Sequence, residues 1–102
     1  MKYTLLTLWH KRPDGSYKRI LFDKVLIFEK KGLNTHGSVM DEDNHLEARI
    51  FSVSKRDISV GDMISAGYES SLTPTKSAYI IKEIKENFST NANLRHYRII
   101  GV

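Results

Sequence analysis

Val60-Gly61-Asp62-Met63-Ile64, Tyr79-Ile80-Ile81-Lys82-Glu83-Ile84 and Leu94-Arg95-His96-Tyr97-Arg98-Ile99-Ile100-Gly101-Val102 decide the fold. Each is a short run of β-branched and aromatic residues bounded by turn formers. Gly61-Asp62 reads as a turn feeding a strand. Ile80, Ile81 and Ile84 disfavour a helix because branching at Cβ restricts χ1, and no capped amphipathic stripe of helical length competes there. This pattern points to a small β-rich body that works by contact.

The same periodicity extends towards the N-terminus. In residues 3–10, Tyr3, Leu5, Thr7 and Trp9 face one way, and Thr4, Leu6, Leu8 and His10 the other, which predicts a half-buried strand. Arg12-Pro13-Asp14-Gly15-Ser16 predicts a hairpin-like reversal, because Pro presets φ and Gly tolerates positive φ after Asp. Residues 17–28 predict a second and a third β segment with a break at Asp23 and Lys24. Val25-Leu26-Ile27-Phe28 carries β-formers on both faces, as a central strand does. In residues 47–53, Ala48, Ile50 and Ser52 oppose Arg49, Phe51 and Val53. In residues 79–86, Tyr79, Ile81 and Glu83 are expected to oppose Ile80, Lys82 and Ile84.

Residues 29–46 are expected to form a long polar loop, since they hold two glycines and few apolar side chains. Residues 67–77 and 87–93 read as shorter polar connections. The sum is about six to eight strands and no secure helix. The expectation is all-β and mainly antiparallel, a small barrel or sandwich, in one domain over residues 1–102.

Composition narrows the function. Hydrophobic residues are 40% and charged residues 27%, which suits a globular chain rather than a disordered one. The apolar runs are too short to span a bilayer, and the first residues are too short and too Thr-broken for a signal peptide. With no cysteine, disulfides and thiolate metal sites are excluded, which favours a cytoplasmic origin. The net charge of +4, from 16 basic and 12 acidic residues, reads first as a mildly basic surface, because no basic block exceeds two residues.

No motif carries catalysis. His10, His36, His45 and His96 lie on separate elements without the close pairing of zinc sites. His36, His45, Asp41 and Asp43 share one loop region, where a solvated polar loop is the better reading. Asp41-Glu42-Asp43-Asn44 lacks the progression of a calcium loop. Gly61, Gly67 and Gly101 make no phosphate-binding fingerprint. No enzyme, cofactor or metal is expected. A different class, a single-stranded nucleic-acid-binding barrel, would use Trp9, Tyr79, Arg95 and Tyr97 as a stacking face. An ordinary strand with core aromatics is the simpler account of Arg95-His96-Tyr97-Arg98.

The order of these segments resembles the small neck proteins of tailed bacteriophages and prophages, also called head–tail connectors, stoppers or minor capsid proteins. The resemblance is sharpest from Gly61 onward. There a Gly-Asp-x-Ile strand precedes a strand with a polar turn, and the last strand has the form Leu-x-His-aromatic-x-hydrophobic, here Leu94-Arg95-His96-Tyr97-Arg98-Ile99. The resemblance implies a β-barrel-like virion protein, made in the bacterial host cytoplasm, that assembles as a homo-oligomeric ring. Its partners would be the portal or adaptor and the tail side, with non-specific contact to packaged DNA and no membrane. The loop that would face a partner, or close the DNA channel, carries Lys30, Lys31, Asn34, His36, Asp41 and Asp43.

Overall fold

The computed structural model describes residues 2–30, 45–52, 57–87 and 95–102. These contain strands β1 (Thr4–Lys11), β2 (Tyr17–Lys30), β3 (His45–Phe51), β4 (Met63–Ala66), β5 (Tyr79–Asn87) and β6 (His96–Gly101), and no helix. All neighbours pair antiparallel, and the sheet closes into a barrel in the order β1-β2-β3-β6-β5-β4. Because β4 returns to lie beside β1, the order 4-1-2-3 is a Greek key. Of the two all-β forms expected, the chain adopts the closed one, with β4 meeting β5 only at Met63↔Ile80 and Ile64↔Tyr79, so residues 82–87 of β5 have no β4 partner among the described residues.

The β1–β2 reversal forms at the expected place. The Arg12 N–H donates to the Ser16 carbonyl at 2.8 Å, and the Gly15 N–H to the Arg12 carbonyl at 3.0 Å. Gly15 takes φ +89°, which glycine adopts without a Cβ penalty. The Asp14 carboxylate accepts from the Ser16 hydroxyl and N–H, and these bonds hold its pKa below the usual value.

Asp23 and Lys24 do not separate two strands. The register passes from Leu6↔Phe22 to Thr4↔Val25, so both residues stand opposite Leu5 in a β-bulge. The extra residue turns Phe22 and Val25 to the same side, and β2 stays continuous through the corner. Its first half pairs with β1 and its second with β3, with Val25 facing Thr4 on one side and Ile50 on the other. The expected loop at 29–46 is correspondingly shorter: Glu29 and Lys30 end β2, His45 and Leu46 begin β3, and Lys30 pairs with His45.

A second bulge corrects the alternation expected in β5. Ile81 faces Gly101 but Glu83 faces Ile100, so Lys82 is the extra residue. Ile84 therefore turns inward with Ile81, and Glu83 turns out. The inward side chains build one core from Leu6, Leu8, Phe22, Val25, Leu46, Ala48, Ile50, Ile64, Ile81, Tyr97 and Ile99. In β3, Leu46, Ala48 and Ile50 are buried and Arg49 is exposed, in the expected phase.

β1 is buried on both faces in its middle, not on one. Its outer side is covered by residues 67–71. The Thr7 hydroxyl donates to the Gly67 carbonyl at 2.8 Å and accepts the Glu69 N–H at 2.9 Å. The Trp9 indole N–H donates to the Ser71 carbonyl at 2.9 Å, and Arg19 Nη1 to the Glu69 carbonyl at 2.7 Å. The polar connection read from sequence thus straps the outside of the barrel.

Candidate functional site

The four residues expected to form a stacking face do not share one. Trp9 is fully buried beneath the strap on the outer side of β1. Tyr97 is 2% exposed and points into the core from β6. Tyr79 is half-buried, and its hydroxyl donates to Glu29 Oε2 at 2.7 Å. Arg95 is half-buried beside the start of β6. That set cannot hold bases, because aromatic stacking needs an open ring face. Of the loop residues expected to face a partner, Lys30 ends β2, while Lys31, Asn34, His36, Asp41 and Asp43 lie outside the described residues. His45 opens β3, apart from His10 and His96 in the sheet. No cluster of metal-ligating residues occurs among the described residues.

Three other features carry the surface chemistry. The first is a polar clamp between β1 and the turn before β4. Asp62, 2% exposed, accepts the Lys11 N–H at 3.2 Å and the Ser59 N–H at 2.9 Å, and its Oδ2 lies 2.8 Å from His10 Nδ1. The Gly61-Asp62 turn also joins β5, through Gly61 N–H to the Ile81 carbonyl and Ile81 N–H to the Asp62 carbonyl. These bonds satisfy a buried carboxylate; its partners are structural ones.

The second feature is a cavity of about 600 Å³ where the strap meets the barrel mouth, lined by Glu29, Ser65, Glu69, Lys76 and Tyr79 among others. Glu29 points inward from β2 and Tyr79 inward from β5, so their hydrogen bond spans the mouth. Burial, then the Glu29 hydrogen bond and charge, push the Tyr79 hydroxyl up to about 12.

The third feature is the outer face of β3, β6 and β5, where side chains fall into rungs. One rung is Arg49, Arg98 and Lys85; the next is Glu47, Ile100 and Glu83; the one on the other side is Phe51, His96 and Asn87. Arg98 Nη2 donates to Glu47 Oε1 at 3.1 Å. That bond, chiefly, holds the Glu47 carboxyl below its usual range and raises the Arg98 guanidinium. Arg98 Nε is buried and makes no hydrogen bond among the described residues. Phe51 packs on His96 with ring centroids 5.2 Å apart, and Tyr3 on Phe51 at 5.6 Å. Sequence reading missed these rungs because their members come from three strands, and only the register aligns them. The alternation of Arg49 and Arg98 with core residues was the available signal.

Exposed apolar side chains form two further strips. Leu5 and Leu21 stand on the outside of β1 and β2, with Tyr68 of the strap beside Arg19. Ile80 and Val102, paired by two backbone hydrogen bonds, stand on the other strip next to half-buried Met63 and Ile100. The strips are separate: Leu5 and Leu21 lie on β1 and β2, whereas Met63 and Ile80 lie on β4 and β5, with β4 next to β1 in the closed order. No protein-family model matches this chain, and neither a curated protein nor a solved structure is significantly similar to it.

Proposed function

We infer that the chain is a structural subunit of a tailed-bacteriophage or prophage virion, a neck protein joining the DNA-filled head to the tail as one member of a ring. The observation that carries this reading is the pair of distinct apolar strips on a closed barrel, one on β1 and β2 and the other on β4 and β5. Ring assembly of a closed barrel uses its side-chain surfaces. A ring uses a heterologous contact, in which two different patches of one subunit meet their counterparts on two neighbours. Leu5 and Leu21 supply one patch, and Ile80 and Val102 the other. The resemblance of the stretch from Gly61 onward to neck proteins supports the same reading.

In this role residues 31–44, joining the paired ends Lys30 and His45, are the segment that meets a neighbouring virion protein or the DNA channel. The portal or adaptor lies to one side and the tail to the other. The net charge of +4 suits sequence-independent proximity to packaged DNA. The test is disruption of the gene in its source prophage, induction, and electron microscopy of the released particles. DNA-filled heads separate from free tails are the expected result. Normal, infectious virions overturn the reading.

A further inference from the structure

Like charges stand directly opposite one another on the outer face of β3, β6 and β5. Arg98 faces Arg49 on one side and Lys85 on the other. Such pairs weaken a sheet. Neighbouring strands are about 4.8 Å apart, so the three cations form a row roughly 10 Å across. Glu47 and Glu83 neutralise part of Arg98, and Glu47 also feels Arg49, but neither Arg49 nor Lys85 makes an ion pair within 4.0 Å among the described residues. A sheet arranged only for stability would alternate charge here. The cost is understandable if an anion completes the row.

The neighbouring rungs indicate which anion. One two-residue step along the strands, about 6.7 Å, lies the aromatic rung of Phe51 and His96, extended by Tyr3, which is 51% exposed. One step the other way lie Glu47 and Glu83. The face therefore reads acidic, basic, aromatic. A nucleotide carries a flat ring about one such step from its phosphate, and the acidic rung keeps the backbone on the aromatic side.

We propose that this face binds single-stranded nucleic acid, with backbone phosphates on Arg49, Arg98 and Lys85 and a base against exposed Tyr3, which Phe51 and His96 back. The strand runs across β3, β6 and β5 along the rungs. Duplex DNA keeps its bases stacked and offers this face only phosphates, so it binds more weakly. This inference does not depend on the ring assignment.

The probe is an end-labelled oligothymidylate of about ten nucleotides, a length in the range of single-strand sites on small barrels, read by fluorescence anisotropy. Three phosphate contacts give a slope of log K against log[salt] near about −2, and R49A/K85A brings it to about −0.7. Tyr3→Ala weakens binding about tenfold by removing a stacking surface, and emission from buried Trp9 verifies that the fold is intact. K11A/R12A, which removes the same charge from the β1–β2 reversal, leaves binding within about twofold. Absence of binding at low salt overturns the proposal. So does an equal loss in K11A/R12A, or a duplex of the same length that binds as tightly and ignores Tyr3→Ala.

Discussion

Asp62 shows how one side chain can hold three elements. Its carboxylate takes two backbone N–H groups, from Lys11 and Ser59, and stands against His10, while its backbone pairs with β5. Asp62→Ala removes the acceptor of two backbone donors, both on exposed residues, Lys11 and Ser59. A hydrogen bond to a charged group contributes about 1.5–3 kcal/mol and exposure reduces the loss, so the variant should lose about 1–3 kcal/mol in urea unfolding. His10→Ala, which removes a partner 23% exposed, should lose less. An equal or larger loss in His10→Ala would show that the imidazole, and not the backbone bonds, carries the clamp. In the sequence, Asp62 was legible as part of a turn. Its bond to His10, 52 residues away, was not.

The bulges set which side chains reach the core at the level of the element. Gly101 and Ile99 are two residues apart on β6 and face the same way, yet their partners Ile81 and Ile84 are three apart on β5. Lys82 makes up the difference. Deleting Lys82 removes the extra residue, so Ile81, Glu83 and Ile84 meet Gly101, Ile100 and Ile99 in regular alternation with Ile84 still inward. The deletion, like Lys82→Ala, should keep one cooperative thermal transition, whereas an alanine inserted between Glu83 and Ile84 turns Ile84 to solvent and should expose the core to a hydrophobic dye. A deletion variant without cooperative unfolding would mean that Lys82 is not the extra residue of β5. Gly101 fits the same geometry: a Cβ there would lie 2.8 Å from Tyr79 Cβ. Strict alternation, the rule available from sequence, gives the right face for β1 and β3. It fails where an extra residue resets the phase, because a bulge is a property of the pair of strands and not of one.

For the whole molecule, closure brings together residues far apart in the chain. The Glu29–Tyr79 hydrogen bond joins β2 to β5 across the mouth, between strands that are not neighbours. Burial and the Glu29 carboxylate push the Tyr79 hydroxyl up to about 12 in the folded barrel, from an ordinary value of 10.0. The unfolded chain therefore gives up this proton first. The contribution to stability is full below the unfolded pKa, near 10, and is lost as pH climbs through the folded value. Denaturation midpoints should fall over that interval, and Tyr79→Phe should flatten this part of the profile. A Tyr79→Phe profile identical to the parent's would remove Tyr79 as the source.

By itself, the sequence determined the all-β class, the reversal at Pro13-Asp14-Gly15, the turn at Gly61-Asp62 and the position of most strands. These follow from local chemistry, from branching at Cβ, the conformational freedom of glycine and alternating polarity, which act over a few neighbouring residues. Only the tertiary structure decided that the sheet closes, that Trp9 lies buried beneath a strap, and that Arg49, Arg98 and Lys85 share a rung with Phe51, His96 and Tyr3 beside it. These depend on the register between strands distant in the chain. Register is chosen by the collective burial of inward side chains, which no single segment carries.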